Sequence, residues 1–133
     1  MPLTRATITL ASRVLLPSFP ALATVLGGVW ILTPRPELRA TPFYAGLDDL
    51  VPLDAWGVAF VAIAATQIAA LLAHSRKAYE WTLAVLAVWL LVIGAVGFWF
   101  ALNSNASFIA PAWHWFGALA CVATALSLDA REQ

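Results

Sequence analysis

One amide and one imidazole are the side chains in this chain whose type and placement could do chemistry. Gln67 stands beside Thr66 inside an otherwise apolar stretch, where an amide in lipid either lines a pore or transport path or finds hydrogen-bond partners on another helix. His114 lies between Trp113 and Trp115 near the start of a second apolar stretch, where an imidazole can titrate, bind a headgroup or ligate a metal. The competing reading of both is structural: an interhelical hydrogen bond for Gln67 and an interfacial one for His114. His74 falls in a different polar break, expected on the opposite side of a membrane, so no neighbouring histidine or carboxylate cluster completes a metal site. Cys121 is the single cysteine, which excludes an intrachain disulfide, a CxxC redox pair and a thiolate cluster. Asn105-Ala106-Ser107 matches a glycosylation sequon, but so short a loop beside the bilayer is a poor acceptor. No nucleophile and base pair or metal set can be assembled from these residues. The expectation is a protein without catalytic residues, metal or cofactor.

The elements that must position these side chains are four apolar runs, at residues 14–32, 55–73, 81–102 and 109–128. Each is near the ~20 residues that cross a hydrocarbon core. Composition agrees: 62% of the chain is hydrophobic and 11% charged, where a soluble domain carries about 25% charged residues. The expected fold is therefore all-α, a single integral membrane four-helix bundle spanning residues 1–133, with the lipid bilayer as its solvent. Zero formal net charge leaves no basic face for nucleic acid. The first run has an irregular start at Pro17 and Pro20. Either Ser18 caps a span beginning near Phe19, or one longer helix is kinked at the prolines. Residues 3–16 then form a weakly amphipathic interfacial segment or a frayed tail. Because the first run lacks a small-x-small cleavage site, it reads as a retained span rather than a signal peptide.

Loop charges orient the bundle. Arg5, Arg13, Arg76, Lys77 and Arg131 fall on one side and only Arg35 and Arg39 on the other. By the positive-inside rule, both termini are expected in the cytoplasm of a cell whose inner (plasma) membrane holds the protein. The long connection at residues 33–54 would then face outward. Within it Thr41-Pro42 resembles a helix start, and Phe43, Leu47, Leu50 and Val51 recur at helical spacing with Asp48 and Asp49 opposite. This predicts a short interfacial helix at residues 42–51, its acidic face toward water, ended by Pro52. Asp54 is placed to cap the second span. Phe43, Leu47 and Leu50 are the candidate outer-face contact for a membrane-protein partner, the alternative being simple packing over the helix ends.

Within the spans, small residues recur at spacings that let helices approach closely in lipid. Ala59, Ala62, Thr66, Ala69, Ala70 and Ala73 make such a stripe on the second span, and Gly117, Ala120, Cys121, Thr124 and Ser127 on the fourth. They are expected to serve helix packing, within one chain or between copies of a homo-oligomer. Gly94 and Gly97 serve close packing or flexibility on the third. Trp30, Trp56, Trp81, Trp99, Trp113 and Trp115 fall at predicted interfaces as an aromatic belt, and Trp89 alone lies near mid-span.

Several families of small four-span proteins are excluded by what is absent. The first span has no acid for a drug/proton antiporter, no cysteine pair serves thiol oxidation, and no paired mid-membrane histidines await haem. The runs Gly28-Val29-Trp30-Ile31-Leu32-Thr33-Pro34, Thr41-Pro42-Phe43-Tyr44 and Pro52-Leu53-Asp54-Ala55-Trp56-Gly57, with Gln67 and the closing Ser127-Leu128-Asp129-Ala130-Arg131-Glu132, resemble the small four-helix membrane proteins of actinobacterial tailed phages. That resemblance implies a phage origin and a holin-like activity: oligomerisation in the inner membrane that permeabilises or depolarises it. It supplies no functional residues. The alternative is a non-pore accessory or superinfection-exclusion protein that binds another membrane protein through the outer loop.

Overall fold

A computed structural model describes residues 5–104 and 107–129, and for residues 5–13, 15 and 129 the backbone alone. Among these residues the chain is all-helical: α1 (Arg5–Leu32), α2 (Arg35–Arg39), α3 (Pro42–Leu50), α4 (Leu53–Leu72), α5 (Arg76–Ser104) and α6 (Ile109–Asp129). Three stretches, Leu53–Leu72, Arg76–Ser104 and Ile109–Leu128, are long and apolar enough to cross a membrane, and Leu16–Leu32 is a shorter apolar helix segment. A helix satisfies every backbone group of such sequences within the segment itself, as lipid requires. Large apolar side chains accordingly point outward along these helices, Val58, Leu72, Val88 and Leu119 among them.

The first helix does not begin near Phe19, as a Ser18 cap would require; it runs unbroken through Pro17 and Pro20. Proline at position 20 has no N–H for the carbonyl four residues earlier, that of Leu16. The Tyr79 hydroxyl on α5 donates to that carbonyl instead, so a neighbouring helix repairs the break. Tyr79→Phe is expected to orphan it and destabilise the fold by about 1 kcal/mol, without altering helix content. Equal denaturation midpoints for Tyr79→Phe and the parent would overturn this role.

Two helix pairs build the bundle. α1 and α4 cross where Gly27 meets Gly57. A Cβ on Gly27 would lie 2.7 Å from the Gly57 carbonyl oxygen and 2.8 Å from Val61 Cγ2, and one on Gly57 would lie 2.9 Å from the Gly27 oxygen. Only glycine permits this approach. α5 and α6 meet where Trp115 covers Gly94 and its indole N–H donates to the Leu91 carbonyl at 3.3 Å. Rings pack within and between the pairs: Trp30 of α1 is edge-on to Phe60 of α4 at 5.3 Å, and Trp56 of α4 lies 5.0 Å from Trp89 of α5. Trp30 and Trp56 are thus core residues rather than members of an interfacial belt, while Trp81, Trp99 and Trp113 remain exposed.

The α4–α5 turn is closed by a Schellman motif. Ser75 N–H donates to the Ala70 carbonyl and His74 N–H to that of Leu71, each at 3.0 Å, and His74 takes the left-handed conformation at φ 51°. Ser75 also caps α5, accepting from Ala78 N–H at 3.3 Å. Because a Cβ is strained in that conformation, His74→Gly should raise the unfolding free energy by about 0.5–1 kcal/mol. A lower midpoint for His74→Gly would show that the imidazole contributes contacts outweighing the strain.

Candidate functional site

The connection between α1 and α4 folds over one end of the bundle and supplies most of its polar chemistry. α3 begins at Pro42 after an extended Thr41, whose side chain makes no cap. Its apolar face turns inward: Phe43 is 3% exposed and Leu47 0%, whereas Leu50 is 59% exposed. Of the three residues expected to offer an outer contact, Phe43 and Leu47 therefore pack into the core and only Leu50 faces out. The seat is reciprocal. The Phe43 ring lies over Gly97 of α5, and the Phe100 ring of α5 lies over Gly46 of α3. Gly97, like Gly94, serves close approach rather than flexibility. Trp56 fastens the end of α3 by donating its indole N–H to the Val51 carbonyl at 2.9 Å and the Leu47 carbonyl at 3.2 Å.

Asp48 and Asp49, expected together on the water face, separate. Asp48 is buried and Asp49 exposed. One Asp48 oxygen accepts from Arg35 Nε at 2.8 Å and from Arg39, while the other accepts from Leu53 N–H at 3.1 Å. Asp48, not Asp54, thus satisfies the first backbone donor of α4. It does so across a turn of chain, while Asp54 stays in the first turn with no capping bond. Arg39 also reaches Asp49 at 2.9 Å. The helix that carries both arginines, α2, escapes sequence reading because five residues show no periodicity.

Hydrogen bonds from Arg35 first, and then from Arg39 and the Leu53 amide, outweigh burial and lower the Asp48 pKa to about 2. An unfolded aspartate titrates near 3.9, so between these values the unfolded chain binds more protons. The stabilisation by Asp48 is therefore complete above pH ~4 and is lost as pH falls toward ~2. Asp48→Ala should lower the neutral-pH unfolding midpoint and flatten that acid limb, whereas Asp49→Ala removes a solvent-screened pair and should leave both nearly unchanged. An unchanged acid limb in Asp48→Ala would assign the titration elsewhere.

Deeper in the bundle, Gln67 is 0% exposed, and neither Oε1 nor Nε2 has a hydrogen-bond partner. The interhelical hydrogen bond expected of it is not made. Trp89 Nε1 is likewise buried without a partner, and the Trp56 and Phe60 rings occupy the space beside it. His114 of α6 comes under α3, with its ring 5.3 Å from Phe43 and 6.3 Å from Trp30. Its Nδ1 bonds the Ala110 carbonyl at 2.7 Å, and Nε2 is buried without a partner. His74 lies at the opposite end, in the α4–α5 turn.

The small-residue stripes divide between two uses. On α4, Ala70 is buried, Ala59 half-buried, and Ala62 and Thr66 face outward beside Thr82 and Val85 of α5. On α6, Cys121 is buried, Thr124 bonds its own helix at the Ala120 carbonyl, and Gly117 faces Leu90 of α5. On α6 only Cys121 and Gly117 of the stripe pack within the chain, while Ala120, Ser127 and the outward part of the α4 stripe stand open. Asn105 and Ala106 of the sequon, and Arg131, lie outside the described residues. Comparison with protein families, curated proteins and solved structures gives no match.

Proposed function

We propose that this chain is a holin-like protein of the inner membrane. In this reading it crosses the membrane four times with both termini in the cytoplasm, and it permeabilises or depolarises the bilayer by associating with copies of itself. The observation that carries the reading is Gln67, an amide held in the bundle with none of its hydrogen-bonding capacity met. A buried unpaired amide disfavours the closed protomer, and one bonded to an amide on another copy does not. Its neighbour Thr66 faces outward with Ala62 on the same helix. Successive helical residues are about 100° apart, so Gln67 borders the outward face of α4 on which a second copy can seat. The rings of Trp30, Phe60, Trp56 and Trp89 fill the protomer centre, and among the described residues the buried faces of α1, α4, α5 and α6 carry no charge. Any aqueous lesion in this reading therefore opens between protomers.

Expression in bacteria should collapse membrane potential and stop growth. Gln67→Leu and Ala62→Leu should each abolish the collapse, the first while stabilising the isolated protomer. Gly117→Leu would disturb α5–α6 packing instead and makes a poorer test. Normal potential at high expression of the parent chain, or full activity of Gln67→Leu, would overturn the proposal.

A further inference from the structure

Where α3 folds over α1 and α6, the bundle holds a hollow that the holin-like reading does not use. A cavity of about 550 Å³ is lined by Leu26, Thr41, Phe43, Tyr44, Trp113 and His114, with Ser107 at its rim. A second, of about 190 Å³, continues along the helices between Leu22 and Leu26 of α1 and Leu90, Trp113 and Gly117, sharing Leu26, Trp113 and His114 with the first. Together they form one cleft between the first and last long helices. It has hydroxyls and an imidazole at the α3 end and aliphatic and aromatic carbon below. The upper cavity is within the range of about 300–1,000 Å³ that holds small ligands.

The chemistry at the junction is specific. A carbonyl oxygen can only accept, so the contact with Ala110 places the His114 proton on Nδ1. Nε2 is then a bare acceptor, buried and unpartnered, on a side chain that lines both cavities. A buried acceptor of this kind calls for a donor. No carboxylate, lysine or arginine lines either cavity, so no fixed charge there balances a charged head. His114 stands five residues into α6, about 7.5 Å along the helix axis and so near the α3 end of that apolar span.

We propose that this cleft binds a neutral, hydroxyl-headed lipid of the diacylglycerol type, its hydroxyl donating to His114 Nε2 and one acyl chain lying between α1 and α6. An aprotic head such as an acetyl ester can enter the cleft but leaves Nε2 unpaired. That difference of one hydrogen bond is worth roughly a tenfold preference for the alcohol.

The test uses the full chain in phosphatidylcholine nanodiscs, with ¹⁵N-labelled histidine. Two probes with the same acyl chains are compared, 1,2-diacylglycerol and its 3-O-acetyl ester. The alcohol should shift the His114 Nε2 resonance saturably and bind about tenfold more tightly than the ester, leaving the His74 resonance unmoved. His114→Phe should abolish the preference between the probes, as read by quenching of tryptophan fluorescence with brominated chains, and Leu26→Trp should weaken both by filling the cleft. Equal binding of the two probes by the parent chain would overturn the proposal. So would an unshifted Nε2 resonance at saturation, and neither result depends on a variant folding.

Discussion

Gly57→Leu is expected to cost the bundle about 3 kcal/mol, the upper end of the range for forcing a side chain into a close-packed contact. The Gly27 carbonyl stands where the new Cβ would go, and backbone cannot rotate aside as a side chain can. Ile31 Cγ1 blocks the other direction at 2.8 Å. α1 must therefore move away from α4, taking Trp30 from its contact with Phe60. In lipid this is costly because packing, not water exclusion, holds spans together. Gly28 is the control: it adjoins Gly27, yet a Cβ there meets nothing within 4 Å. Gly28→Leu should be neutral or gain up to about 1 kcal/mol from helix propensity. Reversible unfolding in mixed micelles, followed by helix content and tryptophan emission, separates the two. Similar midpoints for both variants would show that the crossing is not where the glycines place it.

The second large effect is a non-additive pair. Phe43→Ala should cost about 3 kcal/mol, because the ring is buried and its removal opens a void beneath α3. Gly97→Leu alone should cost about 2 kcal/mol, since a Cβ at that position would fall 2.3 Å from Phe43 Cε2. Each substitution removes the reason the other is harmful. The double variant should therefore be more stable than the summed costs predict by at least about 1 kcal/mol. Strict additivity would mean that Phe43 does not sit on Gly97. The same measurement bears on the partner-binding alternative, because a buried Phe43 cannot serve as an external contact.

Hydropathy reads the long helices of this chain because lipid imposes a condition each segment must meet by itself: enough apolar length and complete internal hydrogen bonding. The short α3 was legible for a similar reason, with Pro42 supplying its start and Pro52 following its end. Its facing was not. Periodicity places Phe43 and Leu47 on one side of a helix but does not say whether that side meets headgroups or Gly97 and Phe100. The acids show the same limit. Asp48 and Asp49 are adjacent in sequence and equally polar, and what buries one of them is Arg35, Arg39 and the Leu53 amide converging from three segments. Tryptophan was misleading at Trp30 and Trp56, since the amphipathic ring that suits an interface also suits a core able to accept its N–H.

From sequence alone came the all-helical, bilayer-compatible character of the chain, its charge-free spans and the choice of Gln67 and His114 as side chains needing explanation. Each of these is a property of composition and local spacing. Tertiary structure alone decided that Gln67 lacks a partner, that His114, with one nitrogen unpaired, lines a cleft between α1 and α6, and that Asp48 secures the start of α4. Those outcomes depend on which atoms from distant segments arrive within hydrogen-bond reach. That is set by glycine-mediated contacts such as Gly27 with Gly57, whose consequences are not written in any local pattern.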